Sequence, residues 1–246
     1  MTALLADVIP VSGLPQGKEG EAIAALVIAI VGFPLFYFVL SQQRKGRSKQ
    51  IGATLTPLGF TFSAAATPED QHLMDGFIFG ALYARGWRQE IINIAHAPTS
   101  DDGTLVIFDG GFRVDVVPGE KMMGVVAYRF TAARVSHPEI AAPAFLLTPR
   151  ADADRLKALF PAGQIEFPED PDFGRQFRLQ SHEADAARAY FTPERRAALK
   201  QFGTRLELEG RTGHLLHLSS VRLAPSQLPG FIQKTRQLAQ LFRQGA

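Results

Sequence analysis

"TLVIFDGGFRVDV", residues 104–116, and the stretch after it, "MMGVVAYRFTAARV" at 122–135, decide what kind of fold this chain makes. Both are dominated by the β-branched, aromatic and aliphatic residues that suit a pleated strand. Between them Pro118-Gly119 supplies a turn signal. So short a connection joins antiparallel neighbours, because parallel strands need a long crossover. Working outward, "EIINIAH" (90–96) precedes the pair across a second turn signal, Asp102-Gly103. The centre of the chain therefore reads as an antiparallel meander.

A second group of strands follows: "QFRLQ" (176–180), "TRLELEG" (204–210) and "HLLHLSSVRL" (214–223). In "TRLELEG", Leu206 and Leu208 fall on one face and Arg205, Glu207 and Glu209 on the other, the alternation of a half-buried strand. Three Thr-Pro pairs, Thr67-Pro68, Thr148-Pro149 and Thr192-Pro193, mark helix starts. Thr caps free N–H groups, and Pro at the first helical position lacks an N–H that would go unpaired anyway. Helices are expected near 68–84, 149–160 and 193–202, and another near 182–190 behind Ser181. The last segment is amphipathic: Leu228, Phe231, Ile232, Leu238, Leu241 and Phe242 form one side and Gln233, Lys234, Arg236, Gln237 and Arg243 the other, and it is expected to pack on the sheet. Residues 57–246 are thus an α+β domain of mainly antiparallel sheet with flanking helices.

The N-terminal part is of another kind. Ala22 to Leu40 is 19 residues without a charge, and 12 of them are Leu, Ile, Val or Phe. As a helix the run is about 28 Å long, close to a bilayer's hydrocarbon thickness of about 30 Å. Asp7, Lys18, Glu19 and Glu21 precede it, and it ends in Phe36-Tyr37-Phe38 rather than in small residues, which disfavours a cleaved export signal. Those aromatics suit the headgroup belt. Arg44, Lys45, Arg47 and Lys49 follow the run, against Lys18 alone before it. By the positive-inside rule the N-terminus faces out and the large domain lies in the cytoplasm, and the four bases gain from anionic lipid. The expected organisation is an extracytoplasmic tail at 1–21, a transmembrane helix at 22–41, a basic juxtamembrane linker at 42–56 and the cytoplasmic domain at 57–246, on a bacterial inner membrane.

Net charge is +2 over 246 residues. By segment, residues 1–41 hold one base and three acids and residues 42–49 hold four bases, leaving 21 bases and 21 acids over 50–246. The domain has no net-charge footprint for nucleic acid. There is no cysteine, which removes disulfides, thiolate metal sites, iron–sulfur clusters and a cysteine nucleophile together.

The tracts "LVIFDGGF" (105–112), "PAFLLTPR" (143–150) and "QIEFPEDPDFGRQFRLQSHEADAARAYFTPERRAAL" (164–199) resemble a family of uncharacterised bacterial single-pass membrane proteins. Its members share a strand ending in Phe-Asp, a Pro-x-Phe-x-Leu-x-Pro tract and a Phe-Thr-Pro tract. The likeness covers about half of the chain. Where relatives carry tyrosine after Phe-Asp, this chain has Gly110-Gly111-Phe112. The resemblance implies a membrane anchor and brings no activity with it.

Catalytic templates are missing. "GLPQGKE" (13–19) is one residue short of a phosphate loop and ends in Glu19 where Ser or Thr would bind magnesium. There is no dinucleotide fingerprint, zinc-protease motif or nucleophile elbow. His214 and His217, the closest pair of the six histidines, have an odd spacing that sends them to opposite faces of a strand. "EFPEDPDFG" gathers Glu166, Glu169, Asp170 and Asp172, which read either as a cation or acid–base site or as an exposed acidic connection. Asp109 is the best single polar candidate, with turn capping before Gly110-Gly111 as the plainer role. Arg85, Trp87 and Arg88 are a candidate partner interface, Trp87 being the only tryptophan. Phe36, Tyr37, Phe38 and the bases at 44–49 are the candidate lipid contacts. The expectation is a non-enzymatic accessory or scaffold subunit without cofactor, docked on a larger membrane protein complex. Alternatives are a membrane-proximal ligand or lipid sensor, a component laid out like the H subunit of photosynthetic reaction centres, and a hydrolase using Asp109 with the 166–172 carboxylates.

Overall fold

In the strand Thr104–Val116 the buried Leu105 and Ile107 fall on one face and the buried Val106 and Phe108 on the other. A strand with apolar side chains at both parities needs cover on both sides, and the rest of the chain supplies it. The structure, a computed structural model, describes residues 33–99, 102–116, 124–152 and 163–243. The chain divides into two units, Met1–Lys49 and Gln50–Ala246.

The second unit is built on a nine-stranded sheet: β1 (Thr61–Ala65), β2 (Trp87–Pro98), β3 (Thr104–Val116), β4 (Gly124–Ser136), β5 (Phe145–Pro149), β6 (Gln164–Ile165), β7 (Phe177–Gln180), β8 (Glu207–Arg211) and β9 (His214–Ser219). Their order is β1-β2-β3-β4-β9-β8-β5-β7-β6, and every pairing is antiparallel. The expected α+β class and antiparallel sheet are what the structure shows. Leu105, Ile107, Ala133, Leu147, Leu208 and Leu215 face one core. It is closed by α3 (Pro171–Gln176), α4 (Ala184–Tyr190), α5 (Pro193–Gln201) and α6 (Leu228–Arg243), whose Phe173, Ala187, Leu199 and Leu238 are buried in it. Val106, Phe108, Phe130, Leu146 and Leu216 face a second core with α2 (Ile78–Arg85), whose Phe79 and Tyr83 close it. The amphipathic C-terminal segment packs on the sheet as its pattern requires, with Phe231, Ile232, Leu238 and Phe242 buried.

Two cross-strand glycine–phenylalanine pairs fit the sheet together. Gly110 lies opposite Phe130 and Gly210 opposite Phe145. A Cβ on Gly110 would sit 2.1 Å from the Phe130 ring, and one on Gly210 2.2 Å from the Phe145 ring. The aromatic side chain folds over its neighbour's bare backbone, so a side chain at either glycine would have to displace the ring.

Several expectations change. A single helix at 68–84 does not form: a 3-10 turn at Glu69–His72 is followed by turns, and α2 begins only at Ile78. Gly76 breaks the run with φ 76°, where the Arg211 guanidinium lies against it. Thr67 does act at the start of that turn, its hydroxyl accepting from the Asp70 amide at 3.3 Å. Thr192 likewise accepts from the Arg195 amide at the head of α5. Thr148 and Pro149 themselves end β5, and a 3-10 turn, Arg150–Asp152, comes next. The remainder of the helix expected at 149–160 falls outside the described residues. Glu209 is not on a wet face: it is 2% exposed, and its carboxylate accepts from the Phe79 amide at 2.9 Å at the head of α2.

The run read as a membrane helix, 22–41, lies mostly outside the described residues, as does the tail at 1–21. From Phe33 the chain is helical through Leu55 (α1), so the segment read as a basic linker is helix nearly throughout. Ile51 and Leu55 at its end are buried in the first core. Among the described residues no helix is long and apolar enough to cross a membrane.

Candidate functional site

Asp109 lies in the middle of β3, 2% exposed, and caps no turn. Opposite it, β2 is irregular between Ile92 and Ala95, and Asn93 takes φ 55° at that bulge. The irregularity aims Asn93 at Asp109: its Nδ2 donates to Oδ2 at 2.9 Å. From the other neighbour, β4, the Thr131 hydroxyl donates to Oδ1 at 2.8 Å. Thr131 Oγ1 in turn accepts from the Leu223 amide at 3.0 Å. The segment after β9 is therefore fastened across the sheet, and Arg222 adds an ion pair to Glu90 and a 3.4 Å contact to the Gly110 carbonyl. Each Asp109 oxygen accepts from a neighbouring strand, the arrangement by which a buried polar group is held rather than offered to a substrate.

The acidic connection at 166–172 is also tied into the fold. Asp170 caps α3 through the Phe173 amide and pairs with Lys200 at 2.8 Å and Arg196 at 3.2 Å. Burial raises its pKa, but the bonds from Lys200, the Phe173 amide and Arg196 outweigh that and hold it below the usual carboxylate range. Glu169 joins the same buried Arg196 at 3.0 Å, and Asp172 pairs with Arg175. Four strands, β4, β9, β8 and β5, separate Asp109 on β3 from β7 beside this connection. The pairing of carboxylates that a hydrolase reading needs is not assembled.

His214 and His217 do lie on opposite faces of β9. His214 meets Phe77 edge-on in the second core, while His217 stacks on Phe231 of α6 with ring centres 4.3 Å apart. Burial, then Arg134 and Arg211, push His214 down to about 4. Burial, then Lys234, push His217 down to about 3. His217 Nδ1 lies 2.8 Å from the Thr235 hydroxyl, whose proton goes to the Phe231 carbonyl at 2.8 Å. Nδ1 is therefore the protonated nitrogen of a neutral ring. Among the described residues no group of three or more histidines and carboxylates is placed to hold a metal ion.

His217 also lines a cleft with a cavity of about 690 Å³. It opens where four adjacent strands end on the same side: the C-terminal ends of β9 and β5 and the N-terminal ends of β8 and β7. The 3-10 turn after β5 brings in Arg150, α3 Arg175, the loop before β8 Arg205 and α6 Lys234, and Glu207 is the single carboxylate among the described lining residues. Four cations thus face one acid. Lys234 donates to the Phe202 carbonyl at 2.8 Å, and burial holds it below the ordinary lysine range. Leu218, Val221, Leu223 and Phe231 give the cleft an apolar wall. Sequence reasoning missed this site. Its cations stand at 150, 175, 205 and 234 in a domain whose charges cancel, so no spacing or local excess marked them.

The remaining candidates are surface residues. Trp87 opens β2 and is 36% exposed, with the Arg88 and Arg113 guanidiniums each 5.3 Å from its ring centre. Arg85 ends α2, exposed. Phe38 is 58% exposed on α1, as are Arg44, Lys45 and Lys49, with Arg47 half-buried. Phe36 and Tyr37 lie on the same helix.

No protein-family model matches the chain, and no curated protein does. Among solved structures it is similar to the mycobacterial trehalose monomycolate transport factor A, TtfA, at 12% identity and a TM-score of 0.48, over 80% of this chain and 95% of that one. A likeness at that level carries no argument about function.

Proposed function

We propose that this chain is a membrane-tethered accessory protein whose α+β domain, on the cytoplasmic side, docks on a larger membrane protein complex. The observation that carries the reading is the uncharged run Ala22–Leu40 followed at once by Arg44, Lys45, Arg47 and Lys49. Such a run inserts as a helix and its basic flank stays on the cytoplasmic face. The described part of that flank is helical, from Phe33 through Leu55. A non-enzymatic role is supported by what the best carboxylates do: Asp109 is engaged by Asn93 and Thr131, and Asp170 by Lys200 and Arg196. The exposed Trp87, flanked by Arg88 and Arg113, is the surface we assign to the partner, because aromatic and arginine side chains dominate docking energetics.

The test is affinity purification of the tagged full-length chain in mild detergent, with mass spectrometry of what co-purifies. A stoichiometric membrane complex is expected, and Trp87→Ala should release it. Recovery of the chain alone, or in the soluble fraction after cell lysis, would sink the proposal.

A further inference from the structure

We infer that the cleft at the ends of β9, β8, β5 and β7 is a binding site for an organic phosphate. The inference stands apart from the docking role and needs no partner protein.

Three features carry it. The first is charge: Arg150, Arg175, Arg205 and Lys234 converge from four separate segments on a cavity of about 690 Å³ in which Glu207 is the one acid among the described residues. Gathering like charges is unfavourable unless something of opposite sign offsets it. Asp172 pairs with Arg175, but Arg150 and Arg205 have no ion-pair partner among the described residues. The second is chemistry: three of the four cations are arginines, whose planar fork grips phosphate through paired hydrogen bonds. The third is size and wall. The volume lies within the roughly 300 to 1,000 Å³ of small-molecule sites, and Leu218, Val221, Leu223 and Phe231 offer apolar contact to a carbon skeleton beside the charged group.

A phosphate group of this kind comes from two sources, a soluble phosphorylated metabolite or a phospholipid headgroup. Full-length protein in non-ionic detergent is titrated calorimetrically with inorganic pyrophosphate and with dihexanoyl phosphatidic acid. Saturable one-to-one binding is expected for at least one probe, weakened tenfold or more in Arg150→Gln/Arg205→Gln. Both arginines are exposed, so this variant keeps its fold, which circular dichroism checks. Glu207→Gln should tighten binding several-fold, an effect that no damaged fold mimics. Arg44→Gln/Lys45→Gln should leave pyrophosphate binding unchanged, which separates the cleft from the basic flank. Binding of pyrophosphate alone assigns a soluble ligand, phosphatidic acid alone assigns the lipid, and both assign the shared phosphate group. No saturable binding of either probe, binding that the double arginine variant leaves intact, or weakening by Glu207→Gln overturns the inference.

Discussion

Two regions of one sheet handle charge in opposite ways. On β2, β3 and β4, Asp109 is sealed in and each of its oxygens accepts from a neighbouring strand. At the ends of β9, β8, β5 and β7, four cations surround open volume with one carboxylate among them. Burial with complete partners makes the first region structural, because removing any member strands the others away from water. Exposure sets the second apart: Arg150, Arg175 and Arg205 are open to solvent, so changing them costs the fold little. The contrast cautions against equating a buried aspartate at the heart of a sheet with a catalytic one.

The sharpest way to break this comparison is Asp109→Ala. It strands the Asn93 amide and the Thr131 hydroxyl and leaves a void, so a loss of about 3 kcal/mol is expected in urea unfolding monitored by fluorescence of Trp87. An unchanged midpoint would mean that the cluster contributes nothing to stability. Gly110→Ala tests the same region without touching a polar group. Its Cβ would collide with the buried Phe130 ring, and overpacking of that kind costs about 2 kcal/mol.

Acid titration reads the other region of the sheet. His217 has its pKa at about 3 in the folded chain, against an ordinary 6.5 when unfolded. Between those values the unfolded state binds the extra proton, so stability falls as pH falls. The expected loss from this one group is about 2 kcal/mol between pH 7 and pH 5, and His214 adds in the same direction. His217→Gln should flatten that part of the profile; an equally steep slope in the variant would assign it elsewhere. Asp170 contributes stability only above the ordinary carboxylate range and loses it as pH falls lower still, so it is separable from the histidines. The smallest effect belongs to the cleft: Arg205→Gln should shift the unfolding midpoint by less than about 0.5 kcal/mol, as substitutions at exposed, unpaired positions do. A large shift would show that the cleft's charges hold the fold together.

Much of the sheet was legible in the residues because its central strands are long and apolar: β3, β4 and the C-terminal helix occupy nearly the stretches their patterns mark. What escaped has physical reasons. β1, "TFSAA", is an outer strand of exposed residues apart from the half-buried Phe62, which gives no alternation to read. Thr148-Pro149 carries the chemistry of a helix start yet ends β5, because a proline is tolerated at a strand end once pairing stops there. Gly110-Gly111 after Asp109 looked like a turn, whereas Gly110 is the slot into which Phe130 folds from the next strand. That slot depends on a residue twenty positions away.

The sequence by itself determined the α+β class, the antiparallel pairing of neighbouring stretches, the neutrality of the domain and the uncharged run with its basic flank. All of these follow from local periodicity, turn chemistry and counting. Only the tertiary structure decided that Asp109 is engaged on both sides, that the 166–172 carboxylates belong to Arg196 and Lys200, and that Arg150, Arg175, Arg205 and Lys234 share one cleft. Those facts depend on which strand ends lie side by side. The order β9-β8-β5-β7 is set by burial of two apolar faces at once, a global condition that no single segment records.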